Sequence, residues 1–115
     1  MIFSDHSVRV WLCQQATDMR KSFKGLVGLV KTQLKEDPLS GHLFVFVNKR
    51  KTQMKVLYYS DGGFCIWMKK LTQGQFVFTE QLENKKAMTW LELQWLIDGI
   101  VIEKISYRKR YKLPG

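Results

Sequence analysis

The sequence predicts an α+β fold: one small domain in which an antiparallel β meander of about four to five strands packs with an N-terminal amphipathic helix and a C-terminal helix. Three observations carry that reading. Residues 42–79 hold four short apolar and aromatic runs separated by turn signals. Residues 17–35 repeat apolar side chains with a 3.6-residue period. Thr89-Trp90-Leu91-Glu92 then matches the capping box that opens a helix. At 115 residues, with 45% hydrophobic and 13% aromatic side chains, the chain can build one core and has no room for a second domain.

In chain order, Val8-Arg9-Val10-Trp11-Leu12 alternates and is rich in β-formers, so it reads as a short first strand. Thr17 and Asp18 offer capping oxygens to a helix expected to run to about Lys35. Met19, Phe23, Leu26, Val27, Val30 and Leu34 form its apolar face, with Arg20, Lys24, Gly28, Lys31 and Lys35 along another stripe. Gly25 and Gly28 weaken this helix, which suggests close packing there against another element. Asp37-Pro38 stops it.

Residues 42–48 are a continuous apolar run, so both faces of that strand need cover and it belongs near the sheet centre. Residues 48–53 form a polar, basic loop, residues 54–59 return, and Asp61-Gly62-Gly63 is a hairpin turn. Residues 64–71 and 75–79 complete the meander, with Gln73-Gly74 turning between them. Residues 80–87 read as loop, and the second helix spans residues 90–97 and stops near Gly99. The single domain is placed at residues 1–106 and a basic tail at 107–115.

Charge separates the function classes. The net charge is +9, and the segment 38–79 has six basic residues against Asp61 alone. Residues 80–98 are mildly acidic, and the last segment is basic again. A basic domain with its charge gathered in this way suits a polyanion. No apolar run reaches the ~20 residues of a membrane span, and residues 1–10 lack a signal peptide's basic start and apolar centre. With only Cys13 and Cys65, and no CxxC, the cytoplasm is the expected compartment.

Catalytic inventory is thin. His42 and Cys65 could pair only if neighbouring strands brought them together, and both are simpler as structural residues. His6, His42, Cys13 and Cys65 are scattered, which disfavours zinc. Asp61, Asp98 and Glu103 could in principle hold metals, but Asp61 is explained as a turn residue. There is no phosphate-cradling glycine motif after a strand. The expectation is a non-enzyme with no cofactor and no metal.

The candidate nucleic-acid residues are Lys49, Arg50, Lys51 and Lys55 in and beside one loop, with Lys69 and Lys70 at the end of the next strand. In a meander these two places share one edge of the sheet, so six cations can converge on phosphates. Arg20 and Lys24 on the first helix, and Arg108, Lys109 and Arg110 in the tail, are further candidates. Tyr58, Tyr59 and Trp67 could stack on bases but are simpler as core. Trp90 and Trp95, on a helix apolar around more than one face, are the candidate partner-binding residues.

The blocks TDMRKSFKGL at 17–26, GHLFVF at 41–46, KVLYY at 55–59, Lys69-Lys70-Leu71 and Gly74-Gln75-Phe76 closely resemble one family. It is similar to the small TnpB accessory proteins of bacterial insertion sequences, also called second-open-reading-frame-like proteins, over residues 8 to about 100. These are distinct from the much longer RNA-guided nucleases that share the name. The resemblance implies a non-catalytic helper of DNA transposition, encoded beside a separate DDE-type transposase. Its expected partners are element-end DNA and that transposase; the alternative is a protein adapter that docks on the transposase through the C-terminal helix without touching DNA. Ser22 stands where the family commonly has glycine, and Lys70 and Gln75 where it often has arginine.

Overall fold

A computed structural model describes residues 7–83, 86–101 and 106–107. Its centre is a five-stranded sheet of order β4-β3-β2-β1-β5. The strands are β1 (Val10–Leu12), β2 (Leu43–Val47), β3 (Gln53–Ser60), β4 (Gly63–Lys70) and β5 (Ala87–Met88). Neighbouring pairs are antiparallel except β1 with β2, which run parallel. Parallel pairing requires a crossover, and α1 (Phe23–Leu29), continued by a π-helical turn at Val30–Leu34, lies in that connection. A one-turn helix α2 (Glu80–Glu83) and then α3 (Trp90–Asp98) follow, and β6 (Ile100–Val101) pairs with β7 (Ser106–Tyr107).

Residue alternation along β2 divides the core. Leu43, Val45 and Val47 face α3, joining Met54, Val56, Phe76, Leu93, Leu96 and Ile97. Phe44 and Phe46 face α1 with Leu57, Leu26, Val30 and Leu34. Every residue of β2 is buried, as a strand covered on both faces requires. No helix of the described residues is long and apolar enough to cross a membrane.

Several local signals operate as written. Thr89 accepts the Glu92 N–H at 3.1 Å and Glu92 Oε1 accepts the Thr89 N–H at 2.9 Å, while Gly99 ends α3 at φ 82°. Asp61 and Gly62 both take positive φ, which makes the two-residue turn that closes β3 onto β4.

Other expectations are corrected. Helix α1 starts at Phe23 with Ser22, not Thr17 or Asp18, at its N-cap position. Thr17 is instead drawn along β2 by its N–H to the Val47 carbonyl, and Asp18 serves a tight turn. Residues 75–79 are not a strand: the chain leaves β4 and crosses the α3 side of the sheet, where Phe76 is buried and its N–H reaches the Lys51 carbonyl. The fifth strand is supplied at the opposite edge by β5. The loop placed at 80–87 contains α2 and the first residue of β5.

The glycines of α1 do not mark a close approach. A methyl at Gly28 would meet no heavy atom within 4 Å, and the three atoms nearest to one at Gly25 all belong to the Lys21 side chain, from 3.2 Å. Gly28→Ala is therefore expected to raise stability by about 0.5–1 kcal/mol by helix propensity alone. A urea titration checks this.

Candidate nucleic-acid interface

The β2–β3 loop is organised by one side chain. Asn48 Oδ1 accepts the Thr52 and Gln53 N–H groups at 2.8 and 3.0 Å, and its Nδ2 donates to Thr52 Oγ1. Its carbonyl accepts the Lys51 N–H, and Lys51 closes the turn at φ 59°. Asparagine suits this place because its short amide reaches the backbone a few residues on. Lys49 and Arg50 are left at the exposed tip.

A second segment comes alongside. Asp18 Oδ1 accepts the Arg20 N–H at 2.9 Å, and both carboxylate oxygens accept from the Arg20 guanidinium at 2.6–3.1 Å. The hydrogen-bonded guanidinium of Arg20 holds the Asp18 carboxyl down to about 2, so the pair stays ionised around neutrality. Arg20 is raised in turn by Asp18. The Arg20 side chain is 91% exposed and keeps donors free for another anion.

Between these segments lies an open depression of about 480 Å³, lined by residues 17–20 with Asn48, Lys49, Arg50 and Gln53. Asp18 is the one acid lining it, against Arg20, Lys49 and Arg50. The hydroxyl of Thr17 is buried there with no hydrogen-bond partner among the described residues. Lys70 stands directly across the β3–β4 ladder from Gln53 and is exposed at the border of the same corner. Exposed Lys21 and Lys24 lie at the nearby start of α1.

The remaining basic candidates have other engagements. Lys55 donates to the carbonyls of Met19 and Lys21 at 2.8 and 2.7 Å, tying β3 to the segment that carries Arg20. Lys51 pairs with Glu83 at 3.0 Å and lies over the Phe78 ring. Lys69 points to the α3 side, where it donates to the Ile97 carbonyl at 3.3 Å, near the negative end of that helix. The six residues drawn from 49–70 thus gather at one end of the sheet, yet of these only Lys49 and Arg50 line the depression and Lys70 stands at its edge, with side chains that have no partner among the described residues. Arg108, Lys109 and Arg110 lie outside the described residues.

The aromatic candidates divide similarly. Tyr58 and Trp67 pack on the α3-side core, and Tyr59 makes an edge contact with Phe64 at 5.2 Å. Burial pushes the Tyr58 phenol up, with the neighbouring Cys65 adding to it. On α3, Trp90 also packs on that core, whereas Trp95 is half-buried. Leu91, one helical turn before Trp95, is 54% exposed. Sequence reasoning missed Leu91, although its i, i+4 spacing to Trp95 was the available signal.

His42 accepts the Arg9 N–H on Nδ1 and lies before β2, while Cys65 is in β4, so β3 separates them. Among the described residues no three His, Cys, Asp or Glu side chains come together in a group that could hold a metal.

The pattern of the family described as IS66 Orf2 like protein matches residues 8–107. The uncharacterized protein y4hO of Sinorhizobium fredii is 36% identical over 100 residues, 87% of each chain. The uncharacterized protein y4jC of the same strain is 31% identical over 114 residues, covering 99% of this chain and 97% of that one. No solved structure gives a significant match. A match over residues 8–107 takes in the sheet, the basic loop and the capped helix described above, and the chain belongs to the IS66 Orf2-like family of transposition-associated accessory proteins.

Proposed function

We propose that this protein is a non-catalytic DNA-binding factor that grips the phosphate backbone of its element's DNA while the separate transposase does the chemistry. One observation carries the reading: residues distant in sequence, Arg20, Lys49 and Arg50, border a single open depression, and Lys70 stands at its edge. Cations so placed displace counterions from DNA, which gives affinity without base reading and makes it fall steeply with salt. Arg20 and Arg50 add planar guanidinium forks that suit phosphate oxygens.

The test is a titration of labelled element-end duplex at about 50 and 200 mM salt. Binding that is measurable at the lower salt and weakens by two or so orders of magnitude at the higher supports the proposal. No binding at low salt, or binding indifferent to salt, contradicts it. Matched RNA as competitor separates DNA from RNA as the polyanion.

A second reading rests on a different surface. Leu91 is exposed one turn from half-buried Trp95, on the solvent side of α3, and this suits an adapter that docks on the transposase. Co-purification with the transposase is expected to be lost in Leu91→Ser with Trp95→Ala. Trp90 is a poor probe because it packs on the core. Retention of the complex in the double variant contradicts the adapter surface.

A further inference from the structure

We propose that β4 pairs edge to edge, antiparallel, with β4 of a second copy of this chain, joining the two sheets across a two-fold axis. The observation is an edge that no strand pairs with among the described residues. The sheet ends on one side in β5, which is only two residues long, and on the other in β4, which is eight. Natural sheets guard an edge with shortness, proline, bulges or charge. Strand β4 reads Gly-Phe-Cys-Ile-Trp-Met before its first charge, holds no proline and keeps an uninterrupted register with β3.

Which backbone groups face outward follows from the hairpin. Ser60 and Gly63 close the two-residue turn, and the same ladder continues with Leu71 N–H on the Thr52 carbonyl at 2.8 Å. The bonds to β3 therefore fall at odd positions from Gly63 to Leu71, and the N–H and C=O groups of Phe64, Ile66 and Met68 point away from the sheet.

The occupant is a second copy because the strand is complementary to its own reverse. With Ile66 facing the partner's Ile66 on the axis, Phe64 lies opposite the partner's Met68, and Cys65 opposite the partner's Trp67. This covers Met68, which is 45% exposed, with an aromatic ring. Charge agrees: Asp61 lies just before the strand and Lys69-Lys70 at its end, so antiparallel pairing brings acid towards base at both ends. Parallel pairing would set the lysines side by side. A two-fold axis normal to the sheet also keeps both α1 helices on one face. The inference does not depend on DNA binding.

The test uses the wild-type protein without DNA. Light scattering across a concentration series is expected to show a species of twice 13.6 kDa. Amide exchange at Phe64, Ile66 and Met68 is expected to slow by about tenfold or more as that species forms. A monomer at every concentration, a dimer whose Phe64, Ile66 and Met68 amides exchange freely, or protection independent of concentration overturns the proposal. The register is read with Trp67→Cys in a Cys13→Ser background. The introduced thiol should oxidise onto the partner's Cys65, because a non-hydrogen-bonded antiparallel pair lies within disulfide reach. A dimer of the folded variant that forms no such bond contradicts this register; if the variant does not fold, the wild-type exchange decides.

Discussion

Replacing Arg20, Lys49, Arg50 and Lys70 together with glutamine is expected to flatten the salt dependence of DNA binding by about 3 to 4 in log–log slope, since each phosphate contact contributes about 0.9. Across a fourfold change in salt that is about a hundredfold less sensitivity. The fold should be unaffected, because all four are exposed and none is bonded to the core. Arg20 is the one with a close partner, and that partner, Asp18, is on the surface beside it. A control with half as many charges removed neutralises Lys31 and Lys35, at the other end of the α1 connection, and should change the slope by well under half as much. A slope change of half the size in the control, in proportion to the two charges removed against four, would mean that net charge, not the corner, governs binding. Filter binding at several salt concentrations reads both.

Lys55→Met is expected to act differently, lowering stability by about 2–3 kcal/mol while removing much less than a full phosphate contact from the slope. Methionine preserves the stem, so the loss falls on the ammonium group. That group makes two short bonds, to the Met19 and Lys21 carbonyls, and nothing else described there replaces it. Charged hydrogen bonds contribute about 1.5–3 kcal/mol each, partly offset here because one of the two is exposed to water. Against a typical total stability of about 5–15 kcal/mol this is a large fraction. Urea unfolding followed by circular dichroism measures it. A variant as stable as wild type would show that the tether of β3 to the 19–21 segment is dispensable.

What the sequence made legible was local. The Thr89–Glu92 box, the Asp61-Gly62 turn and the Gly99 stop each depend on a few adjacent residues. The central place of β2 was also readable, because an uninterrupted run from Leu43 to Val47 has no polar face to offer water. What failed depended on partners far along the chain. Thr17 and Asp18 are good capping residues, yet the Val47 carbonyl and the Arg20 guanidinium claim them first. Residues 75–79 have strand composition, but Phe76 is better buried across the sheet face than in a further strand beside β4. The parallel entry of β1 between β2 and β5 leaves no mark in composition at all.

The candidate site shows the same division. The basic loop was visible, but its neighbour Arg20 is brought to it by the Asp18 turn and the Lys55 tether, both tertiary. Lys69 and Lys70 could have been separated from sequence, because adjacent strand residues face opposite sides, and Lys69 indeed turns to α3. Lys55 could not, since nothing local announces that its ammonium closes on two backbone carbonyls.

On the function proposed above, one corner of this sheet receives the DNA backbone. Titrating element-end duplex into isotopically labelled protein, and following backbone amide shifts residue by residue, tests it most directly. The largest shifts are expected at residues 17–21 and 48–53 and at Lys70, with α3 from Trp90 to Asp98 unmoved. Shifts centred on α3, or spread evenly over every exposed lysine, would contradict it.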